Sequence, residues 1–374
     1  MQMTAQGFLV YQLTRSPAYL GIVTFASGVP TWVLTLLGGV VADRLPRRTL
    51  LVITQTTLMF LAFVLAGLTF LGWVRPWHIV VLAVCGGIAQ AFDAPARQSF
   101  VLEMVGREDL TNAIALNSSM FNLGTAVGPA AAGVIYALVG PAWCFMLNGI
   151  SFMAIIVPLT LMKLNPMPHL ARRASALSDL REGLRYVAGH SVIRVLIVML
   201  GTMSLFGMAF STLMPAWAVE VLGGGSTTNG MLQSARGIGS LISALAVASL
   251  AGFRGRGRLI SFGTFALPAA LFVFSAMRWL PLSLFALMAV GAANMLIMNL
   301  ANAVVQGLVE DRLRGRVMSF YTLILFGMFP LGGLWAGAVA ERFGEPAAVV
   351  LGASASLICA ALVWLFAPRV RALE

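Results

Sequence analysis

The chain has 374 residues, 59% of them hydrophobic and 10% charged, with a formal net charge of +11 and a mean hydropathy of +0.91. Soluble domains carry about 25% charged residues, so this composition excludes a water-facing globule and indicates an integral membrane protein with little aqueous surface. The positive charge then reads as arginine-rich loops beside anionic lipid, not as a nucleic-acid surface.

In chain order, MQMTAQGFLVYQL comes first: apolar, but too short for a hydrocarbon core that needs about 20 residues. It has no basic leader and no cleavage site, which argues against a signal peptide. It reads as the outer half of a helix that begins upstream, with Met1 an internal methionine. Eleven full spans follow, near 18–41, 50–72, 77–98, 112–137, 143–163, 193–217, 228–251, 259–277, 281–305, 317–340 and 346–367.

Charge orients these spans. With the 42–49 turn taken as cytoplasmic, the 24 Lys and Arg divide unevenly: Arg15, Arg75, Arg278 and Arg342 fall on the opposite side, Arg236 falls inside a span, and the rest lie on the cytoplasmic side. That is a positive-inside bias. It places Trp73, Trp77, Trp143 and Trp279 at the outer interface as an aromatic belt. With the first helix complete, both termini are cytoplasmic.

The longest polar segment, 163–190, starts with prolines that stop the preceding helix. Asp179, with Glu182 three residues on, gives a capping-box-like start for an amphipathic helix. The expected organisation is a helical half over 1–163 with its first helix partial, a cytoplasmic linker over 164–191, and a second half over 192–374. RQSFVLEMVGREDL (97–110) resembles VQGLVEDRLRGRVM (305–318), Gln98 matching Gln306 and Val101 matching Val309. Parallel six-helix repeats are a transporter architecture, with the substrate site near the midplane between the repeats.

GVVADRLPRR, from Gly39 to Arg48, resembles the signature between helices 2 and 3 of the major facilitator superfamily. AFDAPARQSFVLEMV (91–105) and NAIALNSSMFNLGTAVGPAAAG (112–133) resemble the subgroup that holds the enterobactin exporter and related drug and macrolide effluxers. The resemblance covers nearly the whole chain. It implies the major facilitator fold, all-α, with two pseudo-symmetric six-helix halves. It also implies a cytoplasmic gate role for Asp43.

The residues themselves support several readings. Gly39 allows close helix approach, and Arg44, Arg47 and Arg48 offer donors to carboxylates or lipid phosphates; topology alone explains the arginines but not Asp43 or Gly39. The second half's AGFRGRGRL (251–259) lacks the acid, so the two halves do not share one latch chemistry. Gly86, Gln90, Asp93 and Arg97 share a helical face that should point into the bundle. Asp93 and Arg97 form an i,i+4 pair about 24 Å below Trp77, read as a gating or structural ion pair or as a proton-carrying carboxylate. Glu103 lies near the cytoplasmic end of the same helix and completes the expected latch. Gln233, Arg236, Gly237, Ser240 and Ala244 share another face, with Arg236 about 12 Å deep. A charge there needs a partner or a cavity. It either faces the substrate cavity with Gln90 and Gln233, drawing an anionic or acceptor-rich compound, or supports packing. Gly124, Gly128 and Ala132 form a small-residue seam, and Pro129 loosens the helix; the glycine–proline pattern resembles the superfamily's antiporter motif in part, and packing alone is the other reading.

Cys85, Cys144 and Cys359 lie in apolar runs, and the histidines have no metal-ligand spacing. No phosphate-cradling loop and no nucleophile–base pair is present, so no ATPase and no enzyme is expected. The readings converge on a secondary active transporter of the bacterial inner membrane. It would export a small amphipathic compound (siderophore, antibiotic or drug) by alternating access. On the resemblance and the missing ATP motif it would be driven by the proton gradient. It is expected to be a monomer contacting membrane lipid, with no cofactor, no metal and no nucleic acid. Two alternatives stay open: a lipid or lysolipid flipping transporter of the same fold, and a non-transporting receptor or assembly factor.

Overall fold

The computed structural model describes residues 1–105, 109–162, 176–249 and 255–372, and these form helices and turns with no strand among them. The helices are α1 (Gln2–Thr14), α2 (Pro17–Arg44), α3 (Arg47–Phe70), α4 (Pro76–Met104), α5 (Leu110–Val139), α6 (Pro141–Leu161), α7 (Ala176–Gly189), α8 (Ser191–Val221), α9 (Ser226–Ser249), α10 (Arg256–Ala276), α11 (Leu280–Leu308), α12 (Asp311–Phe343), α13 (Glu345–Phe366) and the short α14 (Pro368–Arg371). Eleven of these, α2–α6 and α8–α13, are long and apolar enough to cross a membrane, at the places the hydropathy predicts.

Boundaries differ where polar residues extend a helix past its apolar stretch. The expected 317–340 span is the middle of α12, which begins at Asp311 with an Asp311–Arg314 ion pair at 2.5 Å. The amphipathic linker helix α7 does not open at Asp179: Ala176–Gly189 is already helical, with Asp179 inside that range. Elsewhere the stops are local. Gly140 (φ 90°) and Gly344 (φ 84°) end α5 and α12 in conformations that favour glycine, and Pro17, Pro76, Pro141, Pro281 and Pro346 stand in the first turns of their helices, where a missing N–H costs nothing.

α1–α6 pack together around Phe8, Tyr11, Leu65, Ile79 and Phe145, with α2 on α4 and α3 on α6. α8–α13 pack around a larger core that includes Leu196, Met199, Trp217, Phe274 and Leu287, with α9 on α11 and α10 on α11 and α13. Two crossings join the groups: α2 on α12, and α5 on α9. Both are glycine seams. A Cβ on Gly21 would meet the Gly333 carbonyl oxygen at 2.6 Å, one on Gly28 the Pro330 ring at 2.0 Å, one on Gly230 the Pro129 oxygen at 2.5 Å, and one on Gly237 the Thr125 oxygen at 2.4 Å. The backbones touch because no side chain separates them.

The seams occupy one end of each helix. On α5 and α9 they run through Thr125–Gly133 and Ser226–Gly237, the part nearest the exposed Trp73, Trp77, Trp143 and Trp279. Toward the arginine-rich end the groups part. Residues 116–121 of α5 are all exposed, more than a full turn of the helix, and Phe121 is 72% exposed. Among the described residues, the close approaches between the groups lie toward the arginine-poor end, and the exposed stretch of α5 lies toward the other.

Candidate functional site

The polar residues at mid-depth converge on α9. Asn229, Gln233 and Arg236 follow at spacings of four and three, so they lie on one helical face. Asn229 is fully buried and accepts from Gln233 Nε2 at 3.1 Å, and Gln233 Oε1 accepts from Thr4 Oγ1 of α1 at 3.4 Å, across the two groups. Arg236 lines a cavity of about 10 Å³ with Gly207, Met208, Val290, Gly291 and Asn294, room for about one water. Its Nε is enclosed and has no hydrogen-bond partner among the described residues, and no carboxylate there pairs with it. Asn294 is equally underused: among the described residues its amide reaches only the Met298 sulfur at 3.5 Å. Every residue lining this cavity belongs to α8–α11. Of the three residues of the expected cavity, Arg236 lines it; Gln233 does not, and Gln90 is exposed on α4 and is absent from this lining as well.

α8 is irregular beside Arg236. Met203–Gly207 is a wide π turn and Ala209–Leu213 a tight 3₁₀ turn, with Pro215 following. Broken helices at membrane depth occur where they line a cavity. Gly207 and Pro215 inside one apolar span were the sequence signal for this break, and Asn294 had none beyond being polar in a span.

Asp93 is 1% exposed and saturated. Oδ1 accepts from Thr54 Oγ1 at 2.8 Å and Gln55 Nε2 at 2.7 Å; Oδ2 accepts from Arg97 Nη2 at 2.5 Å and Nε at 3.2 Å. The expected i,i+4 pair is present, and α3 supplies two donors that the run ITQTT (53–57) signalled only as polar letters in an apolar span. The four-residue face is not buried as a unit: Asp93 is buried against α3, whereas Gln90 and Arg97 are exposed. All four of these hydrogen bonds stay within α3 and α4.

In the α2–α3 loop, Arg48 donates from Nε and Nη2 to the carbonyl oxygens of Leu159 and Thr160. It caps the C-terminal end of α6 in its own helix group, where a cation also suits the helix dipole. Arg47 is half-buried. The side chains of Asp43, Arg44 and Glu103, and the surroundings of Gly39, lie outside the described residues.

The α5 seam is displaced from its expected place. Gly124 faces open space and Gly128 meets only the Met1 nitrogen at an ordinary 3.8 Å, whereas Gly133 and Gly230 make the close approach. Helix rotation, which spacing alone does not set, decides which glycine meets the partner. Pro129 does lie inside α5, and the Ala130 N–H donates to Ser234 Oγ of α9 at 2.9 Å. Ser234→Ala is expected to cost about 1 kcal/mol, read as a lower Tm of the purified protein; an unchanged Tm would show that the bond contributes nothing net.

The chain is 28% identical to the multidrug efflux pump Tap of Mycolicibacterium fortuitum over 98% of its own length and 91% of the relative's. It is 26% identical to the staphyloferrin A transporter of Staphylococcus aureus, covering 95% and 89%, and 25% identical to the enterobactin exporter EntS of Citrobacter koseri, covering 84% and 74%. Its fold is similar to the xylose transporter XylE from E. coli in an inward open conformation (TM-score 0.74, 14% identity, 98% and 92% covered) and to a peptide transporter POT (TM-score 0.77, 12% identity, 100% and 92% covered). The model of the transmembrane secretion effector family matches residues 1–374, and with that match the chain belongs to this family of major facilitator transporters, a multi-pass membrane protein with the fold its spans and glycine seams describe.

Proposed function

We propose that this protein is a secondary active exporter of a small amphipathic compound, working by alternating access and driven by the proton gradient. The observation that carries the reading is the two-ended bundle: glycine seams join the groups toward the arginine-poor end, α5 is exposed for more than a turn toward the arginine-rich end, and Arg236 at mid-depth has no carboxylate partner among the described residues. The positive-inside rule makes the splayed end cytoplasmic, so the structure corresponds to a state loading from the cytoplasm of a bacterial inner membrane. We read α1–α6 and α8–α13 as the two rocking halves and α7 as their linker. Relatives named for drug efflux and siderophore transport support the outward direction.

In this reading Arg236 and Asn294, with Gln233 above them, receive an acidic or acceptor-rich group of the substrate, because an unpaired guanidinium at that depth is stabilised by an anion. Asp43, Arg44 and Arg47 with Glu103 act at the cytoplasmic gate, and Asp93–Arg97 holds α3 and α4 as one rigid wall beside it. Transport into everted vesicles tests the substrate side. Arg236→Gln is expected to lower uptake of an anionic siderophore by about tenfold or more, the value of a charge-assisted hydrogen bond, and uptake of cationic ethidium far less. Equal loss for both would reject charge recognition, and no uptake of any solute by the parent protein would reject the transporter reading.

One observation favours a second reading, a lipid or lysolipid flipping transporter. An apolar groove of about 360 Å³ runs between α7, α8 and α12, lined by Leu184, Val187, Ile197, Leu205, Phe320 and Ile324, with Arg194 among its lining. Faster movement of a fluorescent lysolipid than of either soluble probe would decide for it.

A further inference from the structure

We propose that the apolar groove between α7, α8 and α12 and the cavity at Arg236 are two parts of one binding path, and that its ligand is an acidic amphiphile whose apolar body lies in the groove while its anionic group reaches Arg236. The inference rests on the exporter reading and names the chemical class of its substrate.

Size assigns the two roles. The groove holds about 360 Å³, within the range of small-molecule pockets, about 300–1,000 Å³. The cavity at Arg236 holds about 10 Å³, enough for one water and for no organic body. α8 joins them. Val198, Gly201 and Leu205 line the groove and Met208 lines the cavity; steps of three and four residues keep these positions near one helical face. From Val198 to Met208 the stripe climbs about 15 Å at 1.5 Å per residue. The wide turn at Met203–Gly207 falls at its upper end, where the apolar lining gives way to Arg236 and Asn294.

Charge sets the sign of the ligand. Arg194, exposed at the start of α8, is among the groove's lining, and its Nη1 donates to the Ala188 carbonyl oxygen at 3.0 Å. Arg236 stands at the other end. Among the described residues no carboxylate lines either part, and Glu182 of α7 is engaged by Arg316. An anion is therefore attracted at both ends with no acid in the lining to oppose it. α11 adds a polar edge. Asn294, Met298, Asn302 and Gln306 follow at steps of four, and Gln306 Nε2 donates to Asn302 Oδ1 at 2.6 Å. Tyr321, next in sequence to Phe320 of the groove, donates to the Met298 carbonyl oxygen at 3.4 Å, so edge and groove are neighbours. Amides at membrane depth are costly unless they face the bundle interior or water. Asn294 and Asn302 are partly exposed and Gln306 is exposed, which leaves them open to a polar group on its way to Arg236. The groove by itself suits any apolar body, and the guanidinium by itself suits any anion; joined, they select an acid that carries an apolar body.

The test is protection of a cysteine placed in the groove, in the full chain reconstituted in nanodiscs. Val198 is 60% exposed; Val198→Cys supplies the target after Cys85, Cys144 and Cys359 are changed to alanine. Its alkylation by a membrane-impermeant maleimide is timed alone and with decanesulfonate, decyltrimethylammonium or methanesulfonate. The unprotected cysteine is expected to react, because the path opens to water. Decanesulfonate should protect it at a concentration about tenfold or more below either of the others, since decyltrimethylammonium lacks the anion for a charge-assisted hydrogen bond and methanesulfonate lacks the apolar body. Arg236→Gln should abolish the preference for decanesulfonate over decyltrimethylammonium, whereas Arg236→Lys, which keeps a cation, should retain most of it. A cysteine that the reagent cannot reach places the groove against lipid and overturns the proposal. So does equal protection by the two decyl probes, or a full sulfonate preference in Arg236→Gln. Each of these results leaves the exporter reading standing, since no substrate movement enters the measurement.

Discussion

Asp93→Ala is expected to lower the stability of the purified protein by about 2–3 kcal/mol, seen as a lower Tm in detergent. Breaking a buried ion pair by removing one partner costs about 3–5 kcal/mol. The lower figure applies here because Arg97 is 51% exposed and recovers water once its partner is gone, so solvent already screens part of the pair. What remains is local to α3: Thr54 Oγ1 and Gln55 Nε2 lose their acceptor in a dry site, and the Gln55 oxygen is already without a partner. Unpaired buried donors cost about 1–3 kcal/mol. Asp93→Asn retains an oxygen for Thr54 and Gln55 but not the charge facing Arg97, so it should fall between the parent and the alanine variant. A Tm for Asp93→Ala equal to that of the parent would show that this node does not hold the helices together.

Gly237→Ala should disable closure of the arginine-poor end, while Gly124→Ala should not. A Cβ at position 237 would meet the Thr125 oxygen at 2.4 Å, its carbonyl carbon at 2.8 Å and Ala126 Cα at 2.9 Å. All three are backbone atoms that no rotamer change can move, so α5 and α9 must separate. Overpacking of this kind costs about 1–3 kcal/mol, which disfavours the closed arrangement by about 5- to 150-fold, read as lost transport into everted vesicles. Gly124 has nothing within 4 Å, and alanine there is better for the helix by up to about 1 kcal/mol. Two identical substitutions on facing helices thus predict opposite outcomes. If both variants transport alike, the seam is not where the halves meet.

Some disagreements between sequence and structure share one cause. Gly124, Gly128 and Ala132 are spaced correctly for a seam, yet α5 presents Gly133 and Pro129 to Gly230 instead. Arg48 has the chemistry of a carboxylate partner, but the loop places it on the last carbonyls of α6. Spacing shows which residues share a face; it does not show which way that face is turned. Asp93 shows the reverse case, where an i,i+4 pair written locally was legible and its two α3 donors were not.

The sequence by itself determined what local composition can determine. Runs of about 20 apolar residues measure a hydrocarbon core, so spans, turns and the uneven arginines were readable, and the motifs sufficed to indicate the superfamily. Only the tertiary structure decided who meets whom. Tyr11 and Glu220 are 209 residues apart, and Ser16 and Glu341 are 325 apart. Arg236 came to have an enclosed Nε with no partner among the described residues only when α8, α10 and α11 packed around it. No periodicity encodes such partners, because helix rotation and backbone contact at glycine seams are set by packing across the whole bundle.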